Sequence, residues 1–171
     1  MTQDSHNWAL SAAGVVLHDG KVLLARHTYS YGKGKLIIPG GYLQEGELPE
    51  EAVQREVLEE TGITVAVREF VGIRFNQDSW YAIFVADYIS GEAQSDGHEN
   101  NEVLWLDPLE ATTREDVPDL TREAIKAAVF RSDRAFVETP YRGTTRHGAY
   151  RFYTSPQKPQ TASPRRINHE N

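Results

Sequence analysis

Three glutamates, Glu56, Glu59 and Glu60, stand at spacing i, i+3 and i+4 in a segment that has the marks of a helix. At about 100° per residue this spacing gathers them on one face. Carboxylates that close repel one another by roughly 0.2–0.5 kcal/mol per pair when solvated, and by more in a cleft of lower effective dielectric. A divalent cation removes that repulsion and takes the oxygens as ligands; Mg2+ (or Mn2+) suits an all-oxygen set. Water beside such a cation loses its proton near neutral pH, which makes it a nucleophile for phosphorus. A Glu-rich helix is commonly no more than a solvated face, so the stripe alone does not decide.

The wider spacing does. Gly41 is followed after five residues by Glu47, and Glu47 after seven by Arg55-Glu56-Val57. Leu58, Glu59-Glu60, Thr61, Gly62 and Ile63 complete the run. The pattern is G-x5-E-x7-R-E-U-x-E-E-x-G-U with U a bulky aliphatic residue, and a chance match per window is on the order of one in a billion at ordinary residue frequencies. This segment resembles the Nudix box, and the likeness extends over Leu10 to about Arg131, including the preceding Pro39-Gly40-Gly41. It implies a loop–helix–loop set into a mixed sheet between helices.

The resemblance also implies roles. Glu56, Glu59 and Glu60 would hold one to three metal ions, with the Gly40 carbonyl completing a shell. Glu56 is the first choice for general base. An acidic residue some six positions before a strand tryptophan serves as ligand or base in relatives, and Glu99 stands so before Trp105, with Glu102 a nearer alternative. From its chemistry alone, Arg55 is a poor neighbour for a cation; a charge-assisted hydrogen bond to Glu47 or Glu56 would let it orient a carboxylate. The catalytic set is therefore Glu56, Glu59, Arg55 and Glu99. Arg26, Lys33 and Lys35 are candidate phosphate contacts, of which Arg26 is preferred. Gly41 is assigned to substrate, because a missing side chain lets a ligand approach the backbone. Tyr29, Tyr31, Phe75, Trp80 and Tyr81 could stack on a base, although aromatics in strands are more often core. His98 reads as an exposed loop histidine.

These side chains need a scaffold. Leu10–His18 and Lys21–His27 read as strands joined at Asp19-Gly20, a two-residue hairpin signal. Leu36-Ile37-Ile38 is a short strand stopped by Pro39-Gly40-Gly41. Pro49–Thr61 is the clearest helix: proline suits its first turn, Glu50 and Glu51 suit its positive end, and Gly62 suits a left-handed cap. Val53, Val57 and Ile63 are expected to anchor it in the core. Thr64–Phe75 and Trp80–Ile89 read as long strands joined near residues 76–79. A polar loop spans Ser90–Asn101, and Val103–Leu106 is a further strand. Leu120–Phe130 has helical periodicity, with Leu120, Ile125, Ala128 and Val129 as its buried positions. The fold class is α/β (α+β), a layered α/β/α sandwich with a mixed β-sheet.

Residues 1–135 are expected to form the domain, and 136–171 a polar, basic, partly disordered extension. Within it Tyr150-Arg151-Phe152-Tyr153 reads as a docked strand or a partner-binding segment. The chain's 171 residues suffice for one core of ordinary size. A formal net charge of −7 argues against wrapping a nucleic-acid polymer, yet a cation at the carboxylates would still attract a phosphorylated small molecule. There is no cysteine, which removes disulfides and thiolate chemistry and fits a cytoplasmic protein. No apolar run approaches the ~20 residues of a membrane span, and Met1–Trp8 does not read as a secretory signal. A homodimer is expected only by analogy with relatives.

The leading expectation is Mg2+- or Mn2+-dependent hydrolysis of a diphosphate linkage in a nucleoside diphosphate derivative: a nucleotide sugar, ADP-ribose or a dinucleotide. A housecleaning nucleoside triphosphate pyrophosphohydrolase is the alternative, since both substrates share the metal–diphosphate unit. A non-catalytic nucleotide-sensing domain belongs to another class, and a complete motif weighs against it.

Overall fold

The computed structural model describes residues 9–75, 79–130, 137–138 and 153–154. Its elements run β1 (Ala9–His18), β2 (Lys21–His27), β3 (Leu36–Ile37), β4 (Gly40–Tyr42), α1 (Pro49–Thr61), β5 (Ile63–Phe75), β6 (Ser79–Gly91) and β7 (Asn100–Leu106). Then follow α2 (Pro108–Thr113), α3 (Asp119–Phe130), β8 (Val137–Glu138) and β9 (Tyr153–Thr154).

Strands β3-β2-β1-β6-β5 lie side by side, β4 pairs with β1, and β7 pairs with β2. Strand β1 runs parallel to β6, and the remaining pairs are antiparallel, so the sheet is mixed. Alternation along β1 sends successive side chains to opposite faces. Ala13 and Val15 pack with Ile125 of α3, whereas Ala12 and Val16 pack with Val53 and Val57 of α1. The sheet is thus held between α1 on one face and α2 and α3 on the other. Strands β8 and β9 pair with each other in a separate two-stranded sheet.

Most elements fall where the sequence places them; α1 does so residue for residue. Three differ. Gly40–Tyr42 forms a strand where the glycines read as a stop, because Ser11, Ala12 and Ala13 of β1 supply a pairing edge that the local sequence does not reveal. Pro108–Thr113 forms a short helix. Asp107 caps it by accepting from the Leu109 and Glu110 N–H groups, and Pro108 takes its first position. In α3 the buried positions are Thr121, Ala124 and Ile125, while Leu120, Ala128 and Val129 only border the core. Ile125 is buried as expected, and Thr121 and Ala124 join it. The expected turn over residues 76–78, the segment Tyr150–Phe152 and the chain after Ser155 lie outside the described residues. Among the described residues no helix is long and apolar enough to cross a membrane.

Candidate active site

Helix α1 is fixed at both ends. Glu51 accepts from the Leu48 N–H at 2.9 Å at its start. Gly62 closes it in the left-handed conformation, φ 71°, with its N–H on the Leu58 carbonyl at 2.9 Å. Ala52, Val53 and Val57 are buried against the sheet. That anchoring sets the rotation of the helix and so the direction of each glutamate. The three do not share one environment: Glu60 is 3% exposed, the Glu56 side chain is 14% exposed and that of Glu59 is 59% exposed. The acidic face of the helix therefore grades from the interior to solvent. Among the described residues no three acidic or histidine side chains converge into a ready-made metal cluster.

Arg55 gathers the outer carboxylates. Its Nε and Nη2 donate to the two oxygens of Glu47 at 2.8 and 2.9 Å, a bidentate pair. Nη1 donates to Glu56 Oε1 at 2.7 Å and to Glu59 Oε2 at 3.1 Å, and Nη2 also reaches the Tyr42 carbonyl at 3.0 Å. One guanidinium thus ties the motif's loop, its helix and β4 together. Glu47 is held well below the ordinary carboxylate range by this contact. Sequence reasoning left Glu47 and Glu56 as alternative partners; Arg55 takes both.

Gly40 and Gly41 press against the carboxylates from β4. The Gly40 N–H donates to Glu60 Oε1 at 3.3 Å. A Cβ on Gly41 would fall within 2.7 Å of Glu56 Oε2 and collide with the rest of that carboxylate, so only glycine leaves the carboxylate its place. Glu60 Oε2 is buried with no hydrogen-bond partner. Burial first, then the neighbouring Glu56, Glu99 and Asp96, push the Glu60 carboxyl up to about 8. Burial also raises Glu56, against the pull of Arg55.

A second wall comes from the loop before β7. Asp96 accepts from the N–H groups of His98, Glu99 and Asn100 and shapes that loop. Thr28 donates from its N–H and its Oγ1 to the Glu99 carbonyl, both at 3.0 Å. Tyr29 Oη donates to Glu99 Oε2 at 3.1 Å, and burial with this contact raises the phenol to about 12. Glu99 thereby faces Glu56 across a cleft of about 530 Å³, whose lining also includes Tyr29, Gly40, Gly41, Tyr42, Ser11, Arg74, Ser79 and Tyr81. That volume suits a small-molecule ligand.

The structure brings Glu56, Gly40, Gly41 and Glu99 together, with Glu60 beneath them, and keeps other candidates apart. Arg26 does not line the cleft. Its Nε donates to Glu102 at 2.6 Å and its Nη1 to Asp116 at 3.0 Å, so guanidinium and Glu102 are both engaged in a clamp between β2, β7 and the loop before α3. Lys35 reaches the Glu115 carbonyl, and Lys33 and His98 are exposed. Trp80 is half exposed and does not line the cleft, while the side chains of Tyr31 and Phe75 lie outside the described residues. Sequence reasoning missed Ser11, Tyr42, Arg74 and Ser79. Cross-strand register, which the sequence of a single strand does not carry, brings three of them together. Tyr42 pairs with Ser11, Ser11 with Tyr81, and Tyr81 with Arg74, one row across four strands.

The chemistry of the donors fits a divalent cation. They are carboxylate oxygens beside glycine backbone, and the buried Glu60 oxygen without a partner is the position that a cation would satisfy. A model of the NUDIX domain matches residues 9–128. The chain is 32% identical over 105 residues to an ADP-ribose pyrophosphatase of Methanocaldococcus jannaschii, covering 58% of this chain and 62% of that protein, just under two thirds of its length. It is 38% identical over 108 residues to a MutT-like protein of Streptomyces ambofaciens, covering 62% of this chain and 68% of that one. In structure it is similar to a NUDIX hydrolase from Nitrosomonas europaea, with TM-score 0.64 and 23% identity over 70% of this chain and 69% of the other.

Proposed function

Because the chain belongs to the Nudix hydrolase family, we propose that it hydrolyses the diphosphate linkage of nucleoside diphosphate derivatives, with ADP-ribose, nucleotide sugars and dinucleotides as the substrate class. The observation that carries this reading is the buried Glu60 carboxylate, partnerless on one oxygen, set beneath a cleft whose walls carry Glu56 and Glu99. The likeness to a protein named for ADP-ribose supports the substrate class.

Glu56, Glu59 and Glu60, with the Gly40 carbonyl, would hold magnesium or manganese. When bound, the cation supplies positive charge that lowers the pKa of water and offsets the charge of the phosphates. The protein's own groups do the rest. Glu56 keeps one oxygen on Arg55, which fixes the carboxylate's orientation; burial makes it a better proton acceptor than a solvated glutamate. It takes the proton of the attacking water. Glu99, aimed by Tyr29 and Thr28, faces the same space from the opposite wall and serves as a second ligand or proton acceptor. Arg55 acts as a positioning residue for Glu47, Glu56 and Glu59.

A second reading, pyrophosphohydrolysis of nucleoside triphosphates, rests on the same cleft, because both kinds of substrate present a diphosphate unit to the carboxylates. A panel of ADP-ribose, nucleotide sugars, dinucleotides and nucleoside triphosphates, assayed with magnesium and with manganese, separates the two. Monophosphate release from the linked diphosphates supports the first reading. Pyrophosphate release from triphosphates alone supports the second, and inertness of the whole panel sinks both.

A further inference from the structure

The cleft has two electrical poles. Glu56 and Glu99 stand at one, over Glu60, and among the described lining residues Arg74 is the one cation. The row Tyr42–Ser11–Tyr81–Arg74 joins them, running along the cleft from β4 through β1 and β6 to β5. Four neighbouring strands span about 14 Å, so Arg74 belongs to the end of the cleft remote from Gly41. Its guanidinium stands over the Tyr81 ring, 5.4 Å from the centroid. The other arginines around the sheet are engaged by carboxylates: Arg26 by Glu102 and Asp116, Arg55 by Glu47, Glu56 and Glu59, Arg114 by Asp116. Arg74 has no ion pair among the described residues, although Glu56 and Glu99 line the same cleft. Burial, with the carboxylates of Glu60 and Glu56, raises the Tyr81 phenol, and Arg74 opposes them.

A planar guanidinium backed by an aromatic ring loses little freedom on binding and presents its N–H edge to an anion. Acidic walls alone would repel a free phosphate at the far end of the cleft; a stacked arginine reverses the sign there. We propose that Arg74, seated on Tyr81, is the phosphate-binding and specificity-determining residue of the cleft, holding the phosphate oxygens of a nucleoside diphosphate at the end opposite Glu56. This rests on the nucleotide reading of the site, and deepens it by assigning a binding residue outside the glycine-to-isoleucine motif. Such an anchor decides which phosphorus lies against the carboxylates, so its loss acts on binding more than on the chemical step.

The test is titration of the full chain with ADP in excess magnesium, followed by calorimetry, for wild type, Arg74→Gln and Arg74→Lys, with adenosine as the uncharged probe. ADP-ribose turnover is measured in parallel. Loss of a charge-assisted contact is expected to weaken ADP binding about ten- to hundredfold in Arg74→Gln. Lysine should restore part of this, and adenosine binding should not distinguish the three proteins. In turnover KM should rise more than kcat falls. The inference is overturned if wild type binds no ADP, if Arg74→Gln binds it within twofold of wild type, or if Arg74→Lys is as weak as Arg74→Gln. Absence of ADP-ribose turnover in wild type counts against the hydrolytic reading instead, and the ADP titration still reports on Arg74.

Discussion

Asn100 donates a 2.8 Å hydrogen bond from Nδ2 to the backbone carbonyl of Glu60, tying the strand that follows Glu99 to the helix that carries the acidic stripe. Asn100 is fully buried. The two walls of the cleft therefore share a fixed separation that no single element could set. Replacing Asn100 with Ala should cost about 1–3 kcal/mol, because the Glu60 carbonyl is left without its partner. Urea unfolding would show a lower midpoint at unchanged slope. An unshifted midpoint would mean that the tie contributes nothing.

Gly41 and Glu56 give a contrasting case. The three atoms nearest to a methyl group at position 41 all belong to the Glu56 carboxylate, the end of a flexible side chain, so the fold can absorb it by moving that carboxylate. Gly41→Ala should keep its melting temperature within a few degrees of wild type while losing at least about tenfold in kcat. Full activity in that variant would show that the position of the Glu56 carboxylate does not matter.

Arg55 holds five hydrogen bonds at once, to Glu47, Glu56, Glu59 and the Tyr42 carbonyl. Lysine retains the charge but not the fork. Arg55→Lys should therefore lower thermal stability and cut kcat by roughly tenfold or more, with KM less affected. Equal KM and kcat losses would point to a direct substrate contact instead of a positioning role.

Glu60 makes stability depend on pH. Its carboxyl titrates near 4.5 ordinarily and near 8 in the folded chain. Between those values the folded state retains a proton that the unfolded state has released, so stability falls as pH rises through that window. In the presence of a chelator, Glu60→Gln should be more stable than wild type at pH 8, by at least about 1 kcal/mol. The gap should narrow towards pH 5, and magnesium should narrow it at pH 8 by stabilising wild type. Identical melting curves at both pH values would contradict a neutral, buried Glu60.

The motif and the limits of α1 were legible because they depend on local spacing: proline at its start, Gly62 at its end, and Val53 and Val57 one turn apart on the buried side. What the sequence could not settle was rotation and register. The i, i+3, i+4 rule places the glutamates near one another, yet only the packing of Ala52, Val53 and Val57 decides that Glu60 turns inward and Glu59 outward. Glu99 was within reach through its distance from Trp105. Arg26 was not, because the acids that engage it, Glu102 and Asp116, lie 76 and 90 residues away in sequence. Arg74 entered the cleft through cross-strand register, which a single strand does not carry.

Manganese titration of the chelator-treated full chain, read by calorimetry with and without ADP, probes the acidic site itself. The expected result is saturable uptake by wild type that is strongly weakened in Glu60→Gln, together with ADP-ribose cleavage that requires the metal. Uptake in Glu60→Gln equal to that of wild type, or none in either protein, would contradict a cation site built on the buried end of α1.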